Sequence, residues 1–173
     1  MDESRSVKFL GLLRVLLRHR VDFFVVGGVA AQLEGAPILT LDLDVLYDKA
    51  PENLDRLLAA LQEIKALYRD PAGRRIEPDA EKLRTLRIHL LRTDLGALDV
   101  LSTIGHGFTY QDLIDRTLVY ELGEHRVRVL ELAAVIETKQ QANRDKDRAV
   151  LPVLRQTLAM KTGATRPRLD NED

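Results

Sequence analysis

Three aspartates lie in segments that otherwise consist of apolar, strand-forming residues. Asp42 and Asp44 stand two residues apart in a run over 40–46, and Asp99 lies within GALDVLSTI. Side chains alternate across a strand, so Asp42 and Asp44 must point to the same face, where their charges repel each other. A divalent cation with oxygen ligands offsets such repulsion, and Mg²⁺ is commonly bound by one or two carboxylates together with substrate phosphates. The pair therefore predicts a site for a metal ion and a phosphate ligand.

The third carboxylate, Asp99, interrupts what otherwise reads as a core strand. Burying an isolated carboxylate costs several kcal/mol unless a partner compensates it. If Asp99 lies beside the other two acids, the three could hold two Mg²⁺ ions, one activating an attacking hydroxyl and the other binding a nucleoside triphosphate. A salt bridge between Asp99 and an arginine such as Arg87 or Arg92 explains the sequence equally well.

Gly27 and Gly28 follow the apolar run Phe23-Phe24-Val25-Val26. Glycine lets the backbone approach a ligand closely, and the amides that open a helix offer donors and a favourable dipole to phosphate. Lys139 and Arg144 could supply further positive charge. Taken singly, these features are more simply a tight turn and surface charges. Their order and spacing together indicate a phosphate site.

Hydrophobic periodicity gives the elements that must position these residues. The predicted elements are helices over about 6–19, 29–33, 51–64 and from 131 on, with a break at Asn143 before a last helix over 145–160; strands over 21–26 and 40–46; hairpins of 86–91 with 97–101 and of 118–122 with 126–130; and a loop over 70–81. Leu41, Leu43 and Val45 should lie on the face opposite the acids.

The order of these elements predicts an α/β (α+β) fold with a mixed sheet. The acids are expected on one edge, the helices on the opposite face, and a helical tail at the C-terminus. Residues 1–160 should form a single domain, with 131–160 packing on it as the tail. Residues 161–173 lack apolar content and should be disordered.

Composition narrows the functional classes. The chain of 173 residues has no cysteine and no apolar run near the roughly 20 residues that a membrane span requires. The expected compartment is the cytoplasm, with no membrane association. A net charge of -1 gives no overall attraction to nucleic acid. A basic cluster remains as a possible RNA surface, although a solvated face is the simpler explanation; it consists of Arg74, Arg75, Lys82, Arg84 and Arg87.

Several other site types find no support in the sequence. The four histidines are scattered and none pairs at a helical spacing, which argues against zinc. His106 follows the third acid and is better explained as a loop residue than as a substrate contact. The chain has neither a Gly-x-x-x-x-Gly-Lys motif nor a Gly-x-Ser-x-Gly elbow, which argues against P-loop NTPases and α/β hydrolases.

Together, these motifs resemble the nucleotidyltransferase superfamily with the DNA polymerase β-like fold. Its members have Gly-Gly or Gly-Ser after the first strand, an acid-x-acid pair on the next strand and a third acid on a later one. More narrowly, GGVAAQLEGAPILTLDLD is similar to a small bacterial group that includes the nucleotidyltransferase toxins of abortive-infection systems. In that group, a threonine precedes the acid pair, as Thr40 does here. ETKQQANRDKDRA matches its C-terminal motif with Lys139, Arg144, Lys146 and Asp147, so that the resemblance covers most of residues 20–155.

The resemblance implies a nucleotidyltransferase fold and transfer of a nucleoside monophosphate from an NTP to an acceptor hydroxyl, with release of pyrophosphate. It implies that Asp42 and Asp44 bind both metal ions, Mg²⁺ or Mn²⁺, and that Asp99 completes the ion that activates the acceptor. The residues implied to bind the nucleotide are Gly27, Gly28, Thr40, Lys139 and Arg144.

The resemblance leaves the acceptor open. A small molecule, a tRNA or a protein are all compatible with it, and an antitoxin is an expected partner. One departure favours an alternative, a non-catalytic module that binds a nucleotide or a partner chain. Many relatives have an arginine two residues before the threonine, whereas this chain has Ile38.

Overall fold

The sheet is the frame of the molecule. The computed structural model describes residues 3–163, with side chains from Lys8 onward. Within these residues, seven strands form one sheet in the order β3-β4-β5-β2-β1-β7-β6. The strands are β1 (Phe23–Val26), β2 (Asp42–Tyr47), β3 (Leu67–Tyr68), β4 (Ile88–Thr93), β5 (Gly96–Leu101), β6 (Thr117–Leu122) and β7 (His125–Leu130).

The helices follow the predicted order, with two additions. They are α1 (Glu3–Arg18), α2 (Gly27–Leu33), α3 (Pro51–Glu63), α4 (Ala80–Thr85), α5 (Tyr110–Leu113), α6 (Leu132–Ala142) and α7 (Asp145–Lys161). The short helices α4 and α5 were not predicted; a single 3-10 turn over Ile114–Arg116 extends α5. None of the helices within 3–163 combines the length and apolar character needed to cross a bilayer.

The strand directions confirm the predicted mixed sheet. β2 runs parallel to its neighbour β5 and antiparallel to its other neighbour β1. β7 is parallel to β1, whereas the pairs β3–β4, β4–β5 and β6–β7 are antiparallel. The parallel β2–β5 pair lies near the centre of the sheet, and it brings together two segments that are far apart in the chain.

The strands bury one face through alternating apolar residues. Leu43 and Val45 on β2 and Leu98 and Val100 on β5 are fully buried. Complete burial of a side chain of this size contributes about 2 kcal/mol. Helix α1 contacts β5 and β7 and packs against α3. This apolar contact fixes the central strands, so the residues that alternate with the buried ones are held on the other face.

Leu41 departs from the predicted pattern. Strand β2 begins at Asp42, two residues later than expected, and Leu41 is 67 % exposed instead of packing opposite the acids with Leu43 and Val45. The segment before it contains Pro37, whose ring removes a backbone donor that a strand would use. The exposed position of Leu41 therefore reflects a late strand start.

The C-terminal helix is one residue longer than predicted, and an ion pair holds its last residue. Lys161, expected in a disordered tail, is the last residue of α7, and its ammonium lies 2.7 Å from the carboxylate of Glu34. Tyr120 also donates a hydrogen bond to that buried carboxylate. Burial by itself raises the pKa of Glu34, but the hydrogen bonds from Lys161 and Tyr120 outweigh it and lower the pKa below its usual value. Thr162 caps the helix and Gly163 follows it in a turn, whereas residues 164–173 of the predicted tail lie outside the described residues.

Replacing Lys161 should therefore loosen the C-terminal helix. We expect Lys161→Met to reduce the free energy of unfolding by about 1–2 kcal/mol, because it leaves the buried Glu34 without its cation. Urea denaturation followed by circular dichroism measures this loss. The double variant Glu34→Gln/Lys161→Met should recover part of it, and a single variant as stable as the wild type would contradict the proposed fastening.

Candidate active site

The three carboxylates lie together on one face of the sheet. In the parallel pair of β2 and β5, Asp44 is the register partner of Asp99, so their side chains point the same way. Asp42 lies two residues before Asp44 and shares this face. Asp99 is buried, and the side chain of Asp42 is 28 % exposed. The structure thus brings together the acids that the sequence singled out.

The carboxylates carry more negative charge than their surroundings balance. Burial, followed by the charges of Asp99 and Asp42, raises the pKa of Asp44 to about 7, against the opposing effect of Lys139 and Lys146. The pKa of Asp99 is raised to about 6, chiefly by burial. Both shifts show that the site favours additional positive charge.

Arg69 is the cation that directly contacts this cluster. Its guanidinium is bonded to Asp99 and lies 3.6 Å from Asp42. An arginine partner for Asp99 was one explanation left open by the sequence, but Arg87 and Arg92 were the wrong candidates. Arg69 follows the two-residue strand β3 in a segment without periodicity, so no sequence signal indicated it.

The glycine turn packs directly against the acids. Gly27 has a φ of +64°, and a Cβ atom at this position would collide with the carboxylate of Asp44. A Cβ at Gly28 would lie 2.7 Å from Thr40. The hydroxyl of Thr40 in turn donates a hydrogen bond to the backbone oxygen of Asp42, at 3.2 Å. The close contacts therefore leave no room for a side chain at either glycine. Thr40 packs against the same turn.

The predicted cations of the helical tail are held in place by Asp147. This fully buried carboxylate accepts from Lys139 at 3.1 Å and from Arg144 at 2.6 Å. Asn143, in the left-handed conformation with a φ of 50°, makes the turn between α6 and α7 that allows these contacts. The charge of Lys139 lowers the pKa of Asp44, and the pKa of Arg144 is raised first by its hydrogen bond to Asp147 and further by the charges of Asp44 and Asp99. Both cations thus act on the cluster electrostatically.

The metal expected from the sequence has oxygen ligands available, although the side chains are not arranged around an ion. Across 3–163, no group of three or more His, Cys, Asp or Glu side chains has the geometry of a metal site. The guanidinium of Arg69 instead bridges Asp42 and Asp99. Carboxylate oxygens with surplus negative charge are nevertheless the donor set that Mg²⁺ prefers. The donor chemistry fits a hard divalent ion.

Strand β4 exposes apolar side chains on the sheet face beside Asp99. Leu90 of β4 is the register partner of Asp99 and is 44 % exposed, and Ile88 on the same face is 56 % exposed. Next to the acids on the other side lie the glycine turn and the lysine of α6. The side chain of Arg69 reaches Asp99 from the β4 side. His106 lies in an exposed loop, where its backbone amide donates to Gln141.

The other residues considered from the sequence lie farther from this chemistry. Ile38 is partly buried and packs against the core, so position 38 supplies no positive charge to the site. In the basic cluster, Arg74 is paired with Asp70 and Lys82 with Asp79. Local acids thus already balance two of the five cluster cations.

Comparison with known proteins identifies the fold. No family model matches the chain, and no curated protein matches it in sequence. Among solved structures, it is similar to the lincosamide antibiotic adenylyltransferase LnuA in its lincomycin-bound form, with a TM-score of 0.57 and 12 % identity over 87 % of this chain and 96 % of that one. It is also similar to the antibiotic-resistance factor ANT(2'')-Ia, with a TM-score of 0.57 and 13 % identity over 95 % of this chain and 87 % of that one. These similarities confirm the nucleotidyltransferase fold.

The contact between Gly27 and Asp44 can be tested by stability measurements. We expect Gly27→Ala to lose roughly 2–4 kcal/mol of unfolding free energy, because it adds a collision to the strain of a positive φ. Gly123→Ala is the matched control, since Gly123 has a φ of +67° and a Cβ there would meet no other atom within 4 Å. It should lose only about 1 kcal/mol. Equal losses in urea denaturation would show that the close approach at Gly27 costs nothing.

The raised pKa values give the metal-free protein a defined pH dependence. The pKa of Asp44 is near 3.8 in the unfolded chain and about 7 in the folded one, so its contribution to stability is full below pH 3.8 and is lost as the pH rises through 7. We expect Asp44→Asn to be more stable than the wild type by roughly 2–4 kcal/mol at pH 8, and by less at pH 5. Urea denaturation in EDTA at both values measures this. Asp94→Asn, which removes an exposed pair with Lys65, should change little, and a wild-type advantage at pH 8 would contradict the expectation.

Proposed function

We propose that the protein is a nucleotidyltransferase that moves a nucleoside monophosphate from an NTP to an acceptor hydroxyl and releases pyrophosphate. The observation that carries this proposal is the pairing of Asp44 with Asp99 in a sheet of the nucleotidyltransferase fold. That pairing gathers three carboxylates beside a glycine turn. The same turn, acids and fold were expected together from the sequence.

Each acid has a proposed role. Asp42 and Asp44 would hold the divalent ions, Mg²⁺ or Mn²⁺, and Asp99 would complete the site nearest the acceptor. When bound, these ions would offset the charge of the triphosphate and make the acceptor hydroxyl easier to deprotonate. Asp99 is the acid that lies next to β4, on the side where an acceptor is proposed to arrive.

The proposed reaction is a single displacement at the α-phosphorus. The acceptor oxygen forms a bond to this phosphorus while the bond to the oxygen bridging the α- and β-phosphates breaks. The hydroxyl proton passes to Asp99, and the electron pair of the broken bond leaves with pyrophosphate. Lys139 lies close enough to the acids to offset the charge that develops on the phosphate oxygens.

The nucleotide is proposed to lie on the covered side of the acids. Gly27 and Gly28 let the backbone come close to phosphate there, and Thr40 packs against that turn. Lys139 and Arg144, fixed through Asp147, would add positive charge from the helical side. This placement leaves the side over β4 for the acceptor.

We propose a small-molecule alcohol as the acceptor. Both structural neighbours are named for antibiotics, one as a lincosamide adenylyltransferase with bound lincomycin and the other as an antibiotic-resistance factor. Leu90 and Ile88 expose apolar side chains on the sheet face beside Asp99, which suits the body of a small organic molecule. A tRNA or protein acceptor and an antitoxin partner are supported only by the resemblance to toxin-type enzymes.

The alternative function is a non-catalytic module that binds a nucleotide or another chain. Ile38 favours it, because this apolar residue packs against the core where many relatives carry an arginine. The contact of Arg69 with two of the acids also agrees with a site that holds no metal. Nucleotide binding that is independent of Mg²⁺ would support the module.

The two functions differ in their dependence on the acids. With labelled ATP, CTP, GTP or UTP, Mg²⁺ and an acceptor panel that includes lincomycin, we expect Asp42→Asn and Asp44→Asn each to lower transfer at least ~100-fold. Asp48→Asn is the matched control, since Asp48 directly follows the strand that carries both acids and lies beyond its far end. Transfer by this control should stay close to that of the wild type.

Nucleotide binding is measured in parallel by isothermal titration calorimetry with and without Mg²⁺. Binding that requires Mg²⁺ and is lost in Asp44→Asn supports the transferase even before the acceptor is known. Unchanged binding in both acid variants and in EDTA would overturn it in favour of the module.

A further inference from the structure

Arg69 approaches the acids from a different direction than the other cations of the site. Its backbone amide donates to the carbonyl of Leu90 at 2.9 Å, which places it at the β3 edge of the sheet. Because Leu90 is paired with Asp99, the side chain must cross β4 on the acid face to reach that carboxylate. Within residues 3–163, its ion pairs are with Asp42 and Asp99 alone. No other acid in that range fixes the guanidinium.

A divalent ion and this guanidinium compete for the same ligands. Arg69 donates a hydrogen bond to Asp99 and forms an ion pair with Asp42, and a metal ion would need the lone pairs of those carboxylate oxygens. A metal ion bound by these carboxylates would also repel the positively charged guanidinium. An ion bound by the carboxylates would therefore push the guanidinium away from them.

A displaced guanidinium beside a metal-loaded site needs an anion as its partner. The side chain of Arg69 is 36 % exposed and ends among the acids, so rotation about its own bonds is enough to change partners. A triphosphate is the anion that the proposed reaction brings to this place, and the planar fork of arginine binds phosphate oxygens in a bidentate manner. Ile38 supplies no such charge.

We infer that Arg69 is a nucleotide-binding residue that exchanges partners, pairing with Asp42 and Asp99 in the metal-free site and with a phosphate of the metal-bound NTP. The inference rests on the proposed function. It goes beyond that function by assigning a phosphate contact to Arg69, which would supply the positive charge that Ile38 lacks. In the metal-free site, Arg69 offsets part of the negative charge, at the cost of weaker metal binding.

The exchange predicts effects of opposite sign on two ligands. At pH 8, Arg69→Met should bind Mn²⁺ alone about 5–10-fold more tightly than the wild type, because the competing cation is gone. The same variant should bind the α,β-methylene analogues of the four NTPs in Mg²⁺ about 10-fold more weakly, because a phosphate partner is lost. Electron paramagnetic resonance of free Mn²⁺ measures the first affinity, and calorimetry measures the second.

Two further variants control for charge and folding. Arg69→Lys keeps a cation without the planar fork, so both of its affinities should fall between those of the wild type and Arg69→Met. Arg92→Met is the matched control on the acid face of β4, where Arg92 forms no ion pair with a described residue, and both affinities should stay close to those of the wild type. Thermal unfolding verifies that each variant is folded.

The outcomes separate this inference from the function on which it rests. If the wild type binds Mn²⁺ and the analogues and Arg69→Met binds both with the same affinities, the partner exchange is overturned and the proposed transferase function is not. A parallel loss of both affinities would also overturn it, since it would show that Arg69 only supports the site. Analogue binding by the wild type that is the same with Mg²⁺ and in EDTA would overturn the metal-dependent function itself, and the inference with it.

Discussion

The repulsion among three carboxylates on a largely buried face is the constraint on which the site depends. Asp44 and Asp99 are neighbours because β2 and β5 are parallel and in register, and this pairing cannot change without exposing the apolar residues that alternate with them. The core therefore enforces the repulsion. Positive charge arrives from two sides to offset it, from Arg69 on one and from Lys139 on the other.

Local patterns in the sequence were sufficient to predict most helices and strands and to single out the three acids of the cluster. Alternation alone places Asp42 and Asp44 on one face, and the turn at Asn143 was visible between two helical periods. The position of Asp99 beside them was a hypothesis, because strand order and direction depend on contacts between distant segments. Leu43 to Leu98 is one such contact, and nothing in either strand specifies the other.

The residues that the sequence did not reveal share a physical reason. Arg69 and Lys161 are charged, lie at the ends of elements, and act through a partner 30 and 127 positions away, respectively. Asp147 appeared in a motif without an assigned task, and the structure shows it as the buried anchor of Lys139 and Arg144. Ion pairs of this kind leave no periodic signal, so a surface charge and a site charge look alike in the sequence.

The two sides of the acid cluster are built differently, and under the proposed function this difference bears on substrate choice. On one side, the glycine turn and a buried aspartate fix the chain around the acids, so a change there disturbs the cluster itself. On the other side, strand β4 presents the exposed apolar side chains of Leu90 and Ile88. A substitution on that side alters what can approach Asp99 while leaving the core pairing intact. Under the proposed function, this division would let the acceptor change while the reaction is kept, because the residues proposed to meet the acceptor are not those that hold the acids together.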